Sequence, residues 1–273
     1  MSDLLQRLRI RAGYELKKVT HRPLRHFVTP FDDPADSPSI IHCCYHKVGT
    51  VWFGRILRDV AAEYGLTYQV GSNYNLIREF EEHQNANIFL DDGSHVNLGE
   101  LPNYVGSHMI RDPRDIVISG YFYHLWTQET WANLPRAEYK GRSYKQYLQS
   151  LSQDEGLLAE IRRVWFWVPH MADWNYNNPR MFEIKYETII SDEEPVFRAM
   201  FEHYGFSENA VDRCCDIAAK YSIKKLKKGT GTHIRSGRTG EWRSLFKPEH
   251  KQLFKELYPG ALSRLGYETD EEW

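Results

Sequence analysis

The chain has 273 residues, 41% hydrophobic and 14% aromatic, enough to bury a sizeable core as one large domain or two small ones. A formal net charge of −2 argues against a general nucleic-acid binder, so any anionic ligand has to be held by a local cluster of cations. No run approaches the roughly 18 apolar residues of a membrane span and the first residues lack the apolar core of a secretory signal, so the expectation is a cytoplasmic protein with no integral membrane segment.

The first thirty residues carry seven Lys or Arg against two acids, with Leu4, Leu5 and Leu8 at helical spacing. A helix of this kind docks on a membrane surface or, more commonly, packs on a domain. Residues 1–37 are therefore read as a basic extension packed on a single domain, residues 38–273. Short β-rich runs follow at 39–45 (SIIHCCY), 87–90 (NIFL), 104–110 (YVGSHMI) and 181–186 (MFEIKY), separated by helical stretches. That alternation predicts an α/β fold with a mainly parallel sheet. The clearest helix comes after the first run, where Phe53, Ile56, Leu57, Val60, Ala61 and Tyr64 share one face. Two vicinal cysteine pairs, Cys43-Cys44 and Cys214-Cys215, match neither a zinc spacing nor a secreted disulfide framework and read as buried free thiols. No spaced His/Cys/carboxylate cluster suggests a metal site, and Asp91-Asp92 reads as a solvated strand-end turn.

Three stretches point to an anion. In YHKVGTVW, residues 45–52, a lysine and a Gly-Thr pair lie between the first strand and the helix. The N–H groups and dipole of a helix N-terminus favour an anion, Lys47 adds a full charge, Gly49 lets the backbone approach closely and Thr50 offers a hydroxyl. The spacing is not that of a Walker A loop, whose lysine follows the last glycine, and an ordinary strand-to-helix turn has the same residues. In RDPRDIVIS, residues 111–119, Asp112 reads as the N-cap, Pro113 as N1 and Asp115 as an acid three residues on. A helix therefore starts where the strand ends and leaves Arg111 at the carboxyl edge of the sheet, where open α/β sheets bind ligands. Two readings stay open: a ligand-facing Arg111 and Ser119, or an Arg111 paired with Asp115 and a Ser119 that packs. In the third stretch, IRSGRTGEWRSLF at 234–246, Gly237 and Gly240 stand among Arg235, Arg238 and Arg243. Such a loop folds round an anion or stays a solvated basic loop.

Taken together and in this order, these stretches resemble the sulfotransferases that use 3′-phosphoadenosine 5′-phosphosulfate (PAPS), especially the cytosolic-type branch, over roughly residues 38–268. The resemblance implies a three-layer, P-loop NTPase-like α/β fold, PAPS as donor, adenosine 3′,5′-bisphosphate (PAP) as product, and no metal requirement. It implies that Lys47, Val48, Gly49, Thr50, Val51 and Trp52 hold the 5′-phosphosulfate and that Arg111 and Ser119 hold the 3′-phosphate. Arg235, Ser236 and Gly237, in a loop that continues to Gly240 and Trp242, would close over the same phosphate. IKYETI and YSIKKL are also family-like and imply Tyr186, Ser222 and Ile223 near the adenine. The chain departs from the family pattern at His46 (usually proline), Val48 (serine or alanine), Val51 (a second threonine) and Ser236 (a common lysine). At least one hydroxyl contact is thereby lost, and the missing charge either falls to Arg238 or Lys228 or is not supplied at all.

The activity implied is an in-line displacement in which positioning and electrostatics supply most of the rate. Lys47 is the electrophilic partner of the bridging oxygen. DDGSHVNLGELP resembles the family's KTHLPLxxLP segment, which implies His95 as the base, with Gly93 where the family has lysine. His108 reads as a core histidine and His42 and His46 as structural residues flanking the loop, while His46 and His108 stay open as rivals for the base. The aromatic clusters at 121–131 and 164–174 either line an acceptor pocket or fill core. The acceptor expected is a small diffusible alcohol, phenol, amine or glycoside; a homodimer stays open. Two other classes remain: a metal-dependent nucleotide kinase-like phosphotransferase, and a non-catalytic PAP-binding protein.

Overall fold

The computed structural model describes residues 29–32, 37–71, 87–226 and 237–273. Its first half runs β1 (Ser39–Cys44), α1 (Thr50–Tyr64), β2 (Thr67–Gly71), β3 (Asn87–Asp92), β4 (Tyr104–Ile110), α2 (Pro113–His124), α3 (Thr130–Asn133), α4 (Tyr144–Gln149), α5 (Gln153–Arg163) and α6 (Trp167–Ala172). The second half runs β5 (Met181–Lys185), α7 (Tyr186–Ser191), α8 (Glu193–His203), α9 (Glu208–Lys220), α10 (Ile223–Leu226), α11 (Trp242–Leu245), α12 (Pro248–Leu257) and α13 (Ala261–Arg264).

All five strands pair in parallel in the order β2-β3-β1-β4-β5. Alternation along each strand divides the apolar residues between two faces. Ile40, Cys44, Ile88, Leu90, Val105 and Met109 join the large core that includes α1, α8 and α9. Ile41, Cys43, Phe89 and Met181 join a smaller core capped by Val96, Leu101 and Trp174. The predicted apolar face of α1 is the one that packs: Phe53, Ile56, Leu57, Val60 and Ala61 are buried, each worth about 1–3 kcal/mol according to size, and Tyr64 lies against the core edge. These layers make a three-layer, P-loop-like α/β fold.

Four of the five strands were predicted, with small corrections at their ends. β1 stops at Cys44, β3 continues through Asp91 and Asp92, and Tyr186 opens α7 instead of closing β5. The pair Asp91-Asp92 therefore lies in the last part of a strand, with Asp91 buried. β2 was not predicted, because it is a half-exposed edge strand (TYQVG) with no continuous apolar run. Cys43, Cys44 and Cys214 are buried free thiols and Cys215 is half-buried.

The sheet order also sets the site. From β1 the chain passes through α1 to β2 and β3 on one side, while β4 and β5 lie on the other, so the loops that leave β1 and β4 diverge. A crevice opens at that switch point on the carboxyl edge. Residues 1–28 of the basic extension lie outside the described residues. At its end, Phe31 packs edge-on against Phe206, and Ser207 N–H donates to Pro30 O at 2.8 Å. Among the described residues no helix is long and apolar enough to cross a membrane.

Candidate active site

The loop after β1 is a tight turn closed by Val48 N–H on Tyr45 O at 3.0 Å. Lys47 (φ 67°) and Gly49 (φ 108°) both adopt positive φ in it, and Gly49 is the N-cap of α1. A side chain at Gly49 would be strained by the positive φ although a Cβ would make only ordinary contact with Met109, so glycine is what lets the backbone bend there. Val48 points its side chain into the core, fully buried. The departure at that position alters core packing, not the surface of the loop.

One cavity at the carboxyl edge is lined by Lys47, Gly49, Thr50, Val51 and Trp52 from this loop, by Arg111 and Ser119 from β4–α2, and by Tyr186, Ile223 and Gly237. Ten predicted residues, scattered over the sequence, thus share one space. Ser222, next to Ile223, is half-buried and does not line it. Arg235, Ser236 and Lys228 lie outside the described residues.

Arg111 joins the three motifs. Its guanidinium donates to Lys47 O and to Arg238 O, both at 3.2 Å, and lies 4.4 Å above the Tyr186 ring. Its Nε is buried with no hydrogen-bond partner, a donor left over in a residue that lines the cavity. The alternative pairing with Asp115 is not what forms, because the two Asp115 oxygens accept Gly240 N–H at 2.6 Å and Trp242 N–H at 3.2 Å. Asp115 anchors the third motif onto α2. Burial pushes its carboxyl pKa up, while Arg111 and these N–H groups pull it back.

The α2 start is as predicted. Asp112 caps it, accepting from Arg114 N–H at 2.9 Å, with Pro113 at N1. Such a cap is worth about 1 kcal/mol. Asp112 also pairs with the buried Arg114, which reaches Glu268 at 2.6 Å and stacks 3.6 Å from Trp242. Glu187 accepts from Asp112 N–H and from the Tyr267 hydroxyl, both at 2.9 Å. The YETI and LGYE segments therefore brace the turn that carries Arg111.

At the other end, Lys47 Nζ lies 3.5 Å over the Tyr123 ring. Burial lowers its pKa to about 8, Arg111 adds to the fall, and Glu129, Glu160 and Asp92 oppose it. The Thr50 hydroxyl donates to Asp92 at 3.2 Å. His95 follows β3 beside this end but does not line the cavity. It is half-buried, with its ring 4.8 Å from Phe166 and 5.8 Å from His170, and burial lowers its pKa. Gly93 has φ 133°, and a Cβ there would come within 2.6 Å of His95 Nε2. The lysine of the family pattern does not fit with this ring orientation.

Sequence reasoning missed Arg55, Asp92, Tyr123, Glu129 and Glu241, which also line the cavity. Arg55 is one turn beyond Val51 on α1, so helical spacing alone could have found it. Tyr123 and Glu129 fall in the 121–131 aromatic cluster, part of which lines this cavity while Tyr121 and Tyr123 are also buried. Among the other histidines, His42 and His108 are fully buried, and His46 lines the cavity.

A parallel α/β sheet with a cavity at its switch point that gathers Lys47, Arg55 and Arg111 beside Asp92, Glu129 and Glu241 is the architecture of the P-loop-like class. The family model for the sulfotransferase domain matches residues 37–266, and the chain belongs to that family. A mouse sulfotransferase, SULT7A1, solved in complex with PAP, superposes with a TM-score of 0.56 at 16% identity over 82% of this chain and 84% of that one. A retinol dehydratase solved with androsterone and the inactive cofactor PAP gives a TM-score of 0.50 at 14% identity over 82% and 80%. Both likenesses bear on the fold. No curated protein sequence matches the chain.

Proposed function

We propose that the protein transfers a sulfuryl group from PAPS to a hydroxyl, or an amine, of a small acceptor. The observation that supports this most is Arg111, tied to the Lys47 and Arg238 carbonyls and stacked on Tyr186, with an unused buried donor beside the cavity. On this reading Arg111, Ser119, Ser236 and Gly237 hold the 3′-phosphate, with Arg235. Tyr186, Ser222 and Ile223 flank the adenine, and the loop from Lys47 to Trp52 holds the phosphosulfate.

An acceptor oxygen attacks sulfur and forms the new S–O bond. The old S–O bond breaks with its electron pair left on the 5′-phosphate of PAP. Lys47 donates to that oxygen as its charge grows, and the acceptor proton passes to His95. Burial supports both roles, since it keeps His95 neutral and leaves Lys47 a readier donor than a solvated lysine. The reading makes residues 38–273 the working domain of a cytoplasmic enzyme that needs no metal, with residues 1–37 packed on it.

The test is transfer of label from ³⁵S-PAPS to alcohols, phenols, amines and glycosides in the presence of a chelator. Labelled product formed mole for mole with PAP is expected. Tight PAP binding with no transfer to any class would make the protein a non-catalytic binder instead. One contact favours a metal-dependent phosphotransferase, because a helix-start Thr50 bonded to a strand-end Asp92 is how P-loop enzymes hold Mg²⁺. Loss of activity to the chelator would select that reading.

A further inference from the structure

A buried array of side chains from outside the three motifs reaches the cavity beside Lys47 through His46 of the first motif. His46 Nε2 lies 3.0 Å from His124 Nε2, and His124 Nδ1 lies 2.6 Å from Glu160 Oε1. Tyr144 donates its hydroxyl to the same oxygen at 2.6 Å. His124 and Glu160 are 0% and 1% exposed, whereas His46 lines the cavity. The carboxylate fits because residue 120 is glycine, where a Cβ would come within 2.9 Å of Glu160 Oε2.

The donors and acceptors in this array can be assigned from its buried end. Glu160 only accepts, so His124 carries its proton on Nδ1 and offers Nε2 as an acceptor. His46 must then donate through Nε2, which leaves its Nδ1 with a lone pair. A proton arriving at that nitrogen need not stay there. His46 passes its Nε2 proton to His124, and the resulting imidazolium is neutralised by Glu160. His95 has no such support, since its ring neighbours are Phe166 and His170.

We propose that His46, backed by His124 and Glu160, is a second proton acceptor of the cavity, working in parallel with His95. The inference rests on the sulfuryl-transfer reading. In the step, the acceptor O–H bond breaks as the O–S bond forms, the proton goes to His46 Nδ1, and the array's net charge rises from −1 to zero. The groups that face His46 are Lys47 on its own loop, Tyr123 and His124 on α2, Trp131 on α3, and Arg163 and Trp167 from α5 and α6. Glu129, which accepts from the Tyr123 hydroxyl and Trp131 Nε1–H, lines the same cavity. Burial first, then His124, Lys47 and Arg163, push the His46 pKa well below its ordinary value and hold the ring neutral, the form a base requires.

The test is a double-mutant cycle with an unactivated aliphatic alcohol, each variant checked by thermal melting and PAP titration. His46→Asn should slow the parent less than about 3-fold but slow His95→Ala by about 10-fold, because the residual rate runs through His46. An equal factor in both backgrounds, or no effect in either, overturns the proposal and leaves His46 as an anchor of the loop. A parent that transfers no sulfate removes the underlying reading as well, and is told apart by the parent alone. Glu160→Gln preserves shape and supplies the second readout. In the His95→Ala background it should move the acid limb of the rate to lower pH, since the imidazolium loses its counter-charge. An unmoved limb overturns the proposal even if His46→Asn is slow.

Discussion

At the Arg111 end of the cavity the charged groups of α2 are committed to partners from distant segments: Asp112 to Arg114, Arg114 to Glu268, and Asp115 to the Gly240 and Trp242 N–H groups. At the Lys47 end, the ammonium sits on an aromatic face, a histidine pair shares one hydrogen bond, and His95 rests among rings. The first region is a fixed frame, which on the proposed reading holds the 3′-phosphate. In the second, burial lowers the Lys47 pKa to about 8 and lowers those of His46 and His95, and on the proposed reading charge appears and a proton leaves there. Binding and turnover should therefore respond to different mutations.

The largest effect expected is at Lys47. Lys47→Met should lower kcat on the order of 10³-fold while PAP affinity changes far less, because the charge it meets exists only as the S–O bond breaks. A collapse of affinity with normal kcat at saturation would make it a simple anchor and erase the distinction between the two ends. His95→Ala comes next, with a loss on the order of 10² in turnover of an aliphatic alcohol and PAP binding retained. Near-parent turnover would move the base elsewhere. An acidic phenol is a poor probe here, since it ionises unaided.

On the other side of the comparison, Asp115→Ala should leave two backbone N–H groups without their acceptor and loosen the third motif. PAP affinity is expected to fall about 10-fold in calorimetry, with kcat at saturation close to the parent's. Unchanged affinity would mean the loop is held by other contacts. The smallest effect is a pH dependence. Lys47 acts as the ammonium, with a pKa lowered to about 8, so kcat/KM should hold below that pH and fall as pH rises through it. Lys47→Arg, slower but always charged, should lack this alkaline limb. A limb that persists in the arginine variant belongs to another group.

The frame was largely legible in the sequence, and the chemistry only in part. Asp112, Pro113 and the eight-residue step from Arg111 to Ser119 are local signals: a cap, a first-turn proline and a helix face. Gly49 and Gly237 were legible because positive φ leaves few other residues to choose. What escaped was set by tertiary approach. Asp115 was read as a helix-start acid or an Arg111 partner, yet it accepts from Gly240 and Trp242, which only the fold brings near. His46 was left open as structural or a rival base, and what the sequence did not show is its partners, which stand 78 and 114 residues further along the chain. Val48 and Val51 were counted together as departures, although one faces the core and the other is 48% exposed on the cavity rim. β2 escaped because an edge strand needs no continuous apolar run.

The central claim is that the cavity is built for a 3′-phosphate as well as a 5′ one, and titration calorimetry of the full chain with PAP and with adenosine 5′-monophosphate tests it most directly. The account predicts tighter binding of PAP by a few kcal/mol, with Arg111→Ala removing most of that difference, in line with the loss of one charge-assisted contact to phosphate. Equal affinity of the intact protein for the two nucleotides would contradict it.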